Sequence, residues 1–161
     1  MTHRAYRIAR AEHAQSHDVF CSGLGAALHG GRWNSRGHRM VYASDSRALA
    51  TLELVVHLNT EAILAAYRVC EITIPENLCE TVTAADLPEG WDALQVNPLA
   101  AQSWGDLWLQ FGKTPAVRVP SVIQPREYNV LMNPGHTRFG EIRWGDIESL
   151  LIDPRITSGK P

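Results

Sequence analysis

Three groups able to handle charge fall within a short span of this 161-residue sequence. They are the Arg32 guanidinium in Gly30-Gly31-Arg32-Trp33-Asn34, the Tyr42 phenol and the Glu53 carboxylate, with His57 four residues further on. Glu53 is the only charged residue between Arg47 and His57. An ionised carboxylate in low dielectric costs several kcal/mol unless it is paired or hydrogen-bonded. Such a group is either kept for use, or it pairs with a structural arginine or meets water through a gap. The segment alone leaves both open.

The elements that must position these groups are readable from local patterns. Met40 to Ser44 reads as a buried strand, and Asp45-Ser46 supplies side-chain oxygens to cap a helix from about Arg47. Ala48, Leu49, Leu52, Val55 and Val56 share one face of that helix, with Ala50, Leu54 and Leu58 extending the apolar surface, which predicts a mostly buried helix with Glu53 on its flank. Upstream, Ala5 to Ala9 alternates like a strand, and Ala11 to Val19 is polar enough for a loop or short helix. Phe20 to Gly37 carries five glycines among small or polar residues and predicts irregular backbone.

Downstream, Tyr67 to Ile74 reads as a strand closed by Pro75, and Glu80 to Val96 as a short strand followed by the turn Leu87-Pro88-Glu89-Gly90. Pro98 opens a helix running to about Phe111, with Trp104, Leu107, Trp108 and Phe111 on one face as core and Gly112 as its stop. Ala116 to Ile123 is a strand interrupted by Pro120, an edge or bulge device that aims Ser121 out of the ladder. Glu127 to Met132 is another strand, ended by the turn Asn133-Pro134-Gly135. Ile147 to Ile152 is the last, before a loose terminus at Ser158-Gly159-Lys160-Pro161. Strands and helices without regular βαβ alternation predict a single-domain α+β fold, mixed sheets with flanking helices.

Composition narrows the function classes. A net charge of −2 gives no general attraction to nucleic acid or to an anionic membrane, so any anion site must be local and no direct nucleic-acid binding is expected. No run approaches the roughly 20 apolar residues of a membrane helix. Three cysteines without CxxC spacing, and a start lacking an apolar signal core, point to a reducing cytoplasm. Seven histidines fall without HExxH or Cys/His spacing, so no metal is expected. Neither a phosphate-binding GxxxxGK[ST] loop nor GxGxxG is present. Five tryptophans leave homo-oligomerisation through apolar surface open.

Taken in combination, Gly30-Gly31-Arg32-Trp33-Asn34, Val41-Tyr42-Ala43-Ser44, Ala48 to His57, Val119-Pro120-Ser121 and Asn129 to Pro134 resemble the RES domain, named for its arginine, glutamate and serine. The resemblance runs from Tyr6-Arg7-Ile8 to the final strand. It implies a toxin of a type II toxin–antitoxin pair, an Xre-like antitoxin as inhibitory partner, and a fold similar to ADP-ribosyltransferase toxins. It further implies NAD+ as substrate rather than cofactor, consumed by hydrolysis or phosphorolysis, with ADP-ribose transfer to a protein as the alternative. A non-catalytic binding module on the same fold is the reading of another class. Arg32, Tyr42, Glu53 and Ser121 carry over as the site, with Asn129 beside them. Trp33, Asn34, His57, Asn133 and His136 lie in matching segments as structural residues.

The chemistry of NAD+ asks for such groups. A guanidinium grips phosphate or ribose oxygens bidentately, which assigns Arg32 to substrate binding, and a tyrosine ring stacks on nicotinamide, which assigns Tyr42. Arg36, His38 and Arg39 read as solvated surface charges that add local positive potential. Loss of nicotinamide builds positive charge on the ribose, and Glu53 is placed to stabilise it. Ser121 reads as a hydrogen-bond partner of Glu53 or the ribose, not as a nucleophile, because no Ser/His/Asp set or GxSxG elbow surrounds it.

Overall fold

The computed structural model describes residues 1–58, 66–94 and 98–157. The expected loose terminus, and Val96, lie outside them. Strands β1 (Thr2–Arg10), β2 (Val41–Ser44), β3 (Tyr67–Pro75), β4 (Cys79–Thr81), β5 (Ala116–Pro120), β6 (Tyr128–Met132) and β7 (Arg143–Leu150) form one seven-stranded sheet, not several. Its order is β4-β5-β6-β2-β1-β3-β7, antiparallel except for β4 beside β5. Helices α1 (His17–Phe20), α2 (Leu24–His29), α3 (Arg47–His57), α4 (Leu99–Phe111) and α5 (Pro154–Thr157) flank it. The α+β class is as the sequence predicts, and none of the described helices is long and apolar enough to cross a membrane.

The two-residue period of a strand sorts side chains between the faces. Val130 and Met132 join Val41, Ala43, Ile72 and Ile74 in one core, while Leu131 turns the other way to meet Val117, Val119, Trp33 and Trp108 under α4. Asn129 and Tyr42 follow the same alternation as Leu131, because Tyr42 pairs with Leu131 and Ser44 with Asn129 across the β2–β6 ladder. Four side chains therefore point to the α4 side.

The sheet is thin at its centre. β1 pairs with β3 along its whole length but with β2 only at Tyr6 opposite Ser44. Beyond that bridge the strands part, and the Arg7 side chain crosses the gap by donating to the Tyr42 carbonyl at 3.0 Å.

Several local expectations change. The glycine-bearing stretch from Phe20 to Gly37 contains α2, with Gly23 and Gly30 in the left-handed region at its two ends. Helix α3 is amphipathic instead of mostly buried: Leu49, Ala50 and Val55 are buried, whereas Ala48, Leu52 and Val56 form an exposed stripe. In α4 the buried side is Ala101, Gly105 and Trp108, with Trp104 half-buried, and Leu107 and Phe111 face solvent. An all-round apolar helix does not announce which side meets the sheet.

Pro120 ends β5 instead of interrupting it, and β5 is interior, between β4 and β6. The proline is tolerated because β4 has already ended at Thr81 opposite Arg118, so no partner is left there for the missing N–H. Ser46 caps α3 by accepting from the Leu49 N–H, whereas Asp45 pairs with Arg118.

Candidate active site

A cleft of about 650 Å³ opens over the β1–β2 junction. Its wall includes Arg7 from β1, Arg32 from the glycine loop, Tyr42 and Ser44 from β2, Glu53 and His57 from α3, and Asn129 from β6.

Glu53 lies at the centre. Its Oε1 accepts from Ser121 Oγ at 2.9 Å and from Asn129 Nδ2 at 2.6 Å. Both donors meet the same oxygen. Among the described residues no buried side-chain oxygen or nitrogen lacks a partner, and Oε2 has none, so Oε2 is open to solvent. Pairing with a structural arginine is not realised, and the carboxylate meets water through Oε2, as the structural reading allows. It is clamped by neutral donors, which hold a charged form without cancelling it.

Ser121 is fully buried and does not form part of the cleft wall. Its oxygen also accepts from the Ile123 and Gln124 N–H groups, so the turn after β5 orients the hydroxyl toward Glu53. Asn129 is held from the far side by Ser44, whose Oγ donates to its Oδ1 at 2.7 Å.

Arg32 donates from Nη1 to the Trp91 and Ala93 carbonyls at 3.1 and 2.9 Å. Burial pulls its guanidinium down, while Glu53 and Asp92 act to keep it charged. It forms no ion pair among the described residues. Tyr42 does more than offer a ring: its hydroxyl donates to Asn34 Oδ1 at 2.6 Å and accepts from the Trp33 N–H at 3.1 Å. Burial pushes that phenol well above its usual range. Asn34, fully buried, in turn donates to the Ala26, Ser35 and His38 carbonyls. Gln102 of α4 donates to the Gly31 and Asn34 carbonyls, and Asp106 accepts from the Ser35 N–H. Gly31 is required because a Cβ there would sit 2.5 Å from the Tyr42 hydroxyl. This network aims Arg32. Asn133 stands apart, donating to the Leu109 carbonyl, and His136 accepts from the Arg138 N–H.

Sequence reasoning passed over Arg7. Its Nε donates to the Phe20 carbonyl at 2.7 Å, its Nη1 to the Tyr42 carbonyl, and its plane lies 5.2 Å from the Phe20 ring centre. Burial pushes the guanidinium down to about 10, still charged at neutral pH. No carboxylate pairs with it among the described residues. The signal for it was weak, since Arg7 is one of three arginines in β1, a strand in which only Ala5 is buried. Two guanidiniums without carboxylate partners and one clamped carboxylate thus share a cleft, a constellation for an anion joined to a centre that becomes positive.

The RES domain family model matches residues 4–153. The chain belongs to the RES domain family. Among relatives of this RES protein, the "Prs ADP-ribosylating toxin" of Sphingobium sp. is 40% identical over 159 residues, covering 97% of this chain and 98% of the relative. "Toxin Res" of Photorhabdus laumondii is 36% identical over 129 residues, covering 80% of each chain. A chain of the M. tuberculosis MbcT–MbcA toxin–antitoxin complex shares the fold at a TM-score of 0.69 and 22% identity, covering 93% of this chain and 85% of that one. The protein is a RES-type toxin.

Proposed function

We propose that this RES toxin consumes NAD+ by cleaving the bond between nicotinamide and ribose. The observation that carries the reading is Glu53, fixed through Oε1 and open at Oε2, facing a cleft that holds two guanidiniums without carboxylate partners. Arg7 and Arg32 take the pyrophosphate, where planar forks match its oxygens. The Tyr42 ring lines the cleft for the nicotinamide ribose end, and its hydroxyl holds the loop that carries Arg32. As the bond from ribose C1′ to the nicotinamide nitrogen breaks, its electron pair leaves with nicotinamide, and Oε2 of Glu53 stabilises the oxocarbenium-like ribose. An acceptor oxygen then bonds to C1′, and its proton passes to Glu53 and on to water. With water the products are ADP-ribose and nicotinamide, and with phosphate the ribose carries the phosphate.

A second reading sends ADP-ribose to a protein side chain. It is favoured by the relative named for ADP-ribosylating Prs, matched over almost the full length of both chains. In either reading an antitoxin partner is expected, as in the complex that contains the structural neighbour. A segment covering the cleft would silence the toxin.

The test is release of nicotinamide from NAD+ by purified protein beside Glu53→Gln, with and without phosphate. Wild-type release reduced by about 10²–10³ or more in the variant is expected for loss of a preorganised charge. Release that depends on phosphate identifies the acceptor, whereas release only with a lysate, accompanied by ADP-ribose on a protein, supports transfer. Equal release from both proteins would overturn the role of Glu53.

A further inference from the structure

Ser44 has no part in the motif reading beyond its place in a strand, yet it begins a chain of oriented hydrogen bonds that ends on the reactive carboxylate. It is buried at 3% exposure and sits at the one residue pair that joins β1 to β2. It is also the cross-strand partner of Asn129, so the two side chains meet on the α4 side of the sheet. Its hydroxyl can donate or accept. It donates to Asn129 Oδ1 at 2.7 Å because the acceptor-only carboxylate of Glu53 takes the Nδ2 end, and it thereby holds the amide in place. The amide's other end then presents Nδ2 to Glu53 Oε1 at 2.6 Å. The opposite amide orientation would set Oδ1 against the carboxylate, lone pair against lone pair. Glu53 would be pushed off the geometry that leaves Oε2 toward the cleft.

We propose that Ser44 is a positioning residue of the active site: by fixing the Asn129 amide it makes Oε1 of Glu53 the anchored oxygen and Oε2 the reactive one. The proposal deepens the NAD+-cleavage reading and rests on it for its effect on turnover. Two strands and one helix are thereby keyed to one carboxylate. Ser121 supplies the other donor from the turn after β5, so the carboxylate is fixed from two directions.

The experiment is a double-mutant cycle of Ser44→Ala and Asn129→Ala in the full chain, read by nicotinamide release, with thermal melts to establish that each variant is folded. Ser44→Ala should lower kcat about tenfold with KM for NAD+ unchanged, the cost of one lost oriented hydrogen bond in the transition state. In the Asn129→Ala background it should have no further effect, because Ser44 acts through that amide. Additive losses, or a change confined to KM, would overturn the proposal. Side-chain amide NMR provides a readout that needs no substrate: the Asn129 Nδ2 protons should shift in Ser44→Ala, and unchanged resonances would overturn the proposal whatever the kinetics. If wild type released no nicotinamide under any acceptor condition, the NAD+ reading would fall, while a shifted Asn129 amide would still support the positioning by Ser44.

Discussion

Glu53 receives both of its hydrogen bonds on one oxygen, and this unequal treatment separates the two donors from the substrate groups. Removing one donor leaves the other in place. Ser121→Ala should therefore reduce nicotinamide release by about 3- to 30-fold, well short of Glu53→Gln, because Asn129 still holds Oε1. A covalent adduct on Ser121, or a loss equal to that of Glu53→Gln, would show that the serine does chemistry of its own. Arg7 carries two duties at once, as it binds the Phe20 and Tyr42 carbonyls and lines the cleft. Arg7→Lys keeps the charge but loses the fork. It should raise KM for NAD+ about tenfold or more and lower stability by about 1–2 kcal/mol, measured by substrate titration and by chemical denaturation. An unchanged KM would remove Arg7 from the substrate site.

At the scale of elements, α4 is the part of the fold that makes the glycine loop rigid. Gly105 is where the helix passes closest to it, since a Cβ there would run into the Trp33 carbonyl oxygen. Gln102, one turn earlier, and Asp106, the next residue, bind the same loop. Gly105→Ala should displace α4 from the loop, costing about 1–3 kcal/mol and reducing nicotinamide release through misplacement of Arg32. A thermal melt and an activity assay read the two effects, and a variant as stable and active as wild type would show that α4 does not set the loop. Trp33 adds to this contact by packing against Trp91 and Trp104, with ring centres 5.9 and 5.4 Å away. The segment that Arg32 binds through the Trp91 and Ala93 carbonyls is thus anchored at both its backbone and its ring.

Across the whole molecule, the single sheet divides its burden unequally. The continuous β1–β3 pairing and the β5–β6–β2 ladder are well-paired halves, and the lone Tyr6–Ser44 bridge between them leaves room for the cleft. The three thiols are free; Cys70 is buried in β3, and Cys79 in β4 at the edge beside β5. Burial raises the Cys70 thiol and pushes Cys79 up to about 12. Since the thiolate is the reactive form, Cys70 and Cys79 should resist a thiol reagent at pH 8 and react together only when denaturant unfolds the chain. Fast labelling of either in native protein would mean that its part of the sheet opens readily.

The sequence by itself determined most elements and the identities of the groups that handle charge. Strand alternation, the Ser46 cap and the Gly112 stop are local signals, and they survive in the fold because each depends on neighbours a few residues away. The motif set was legible for the same reason, as Arg32, Tyr42 and Glu53 lie in three consecutive segments, the glycine loop, β2 and α3. Tertiary structure alone decided which side of α3 and α4 is buried, because residues apolar around much of a helix give no preferred face. It alone disclosed α2 within the glycine-bearing stretch, and Arg7 as a cleft residue. It also decided what each site group touches. Ser121 and Asn129 are 68 and 76 residues from Glu53 along the chain, and only the β5–β6–β2 ladder and the packing of α3 bring their donors to one oxygen. A local pattern specifies which groups a segment offers; which oxygen is held and which is left free depends on contacts between segments that no local pattern encodes.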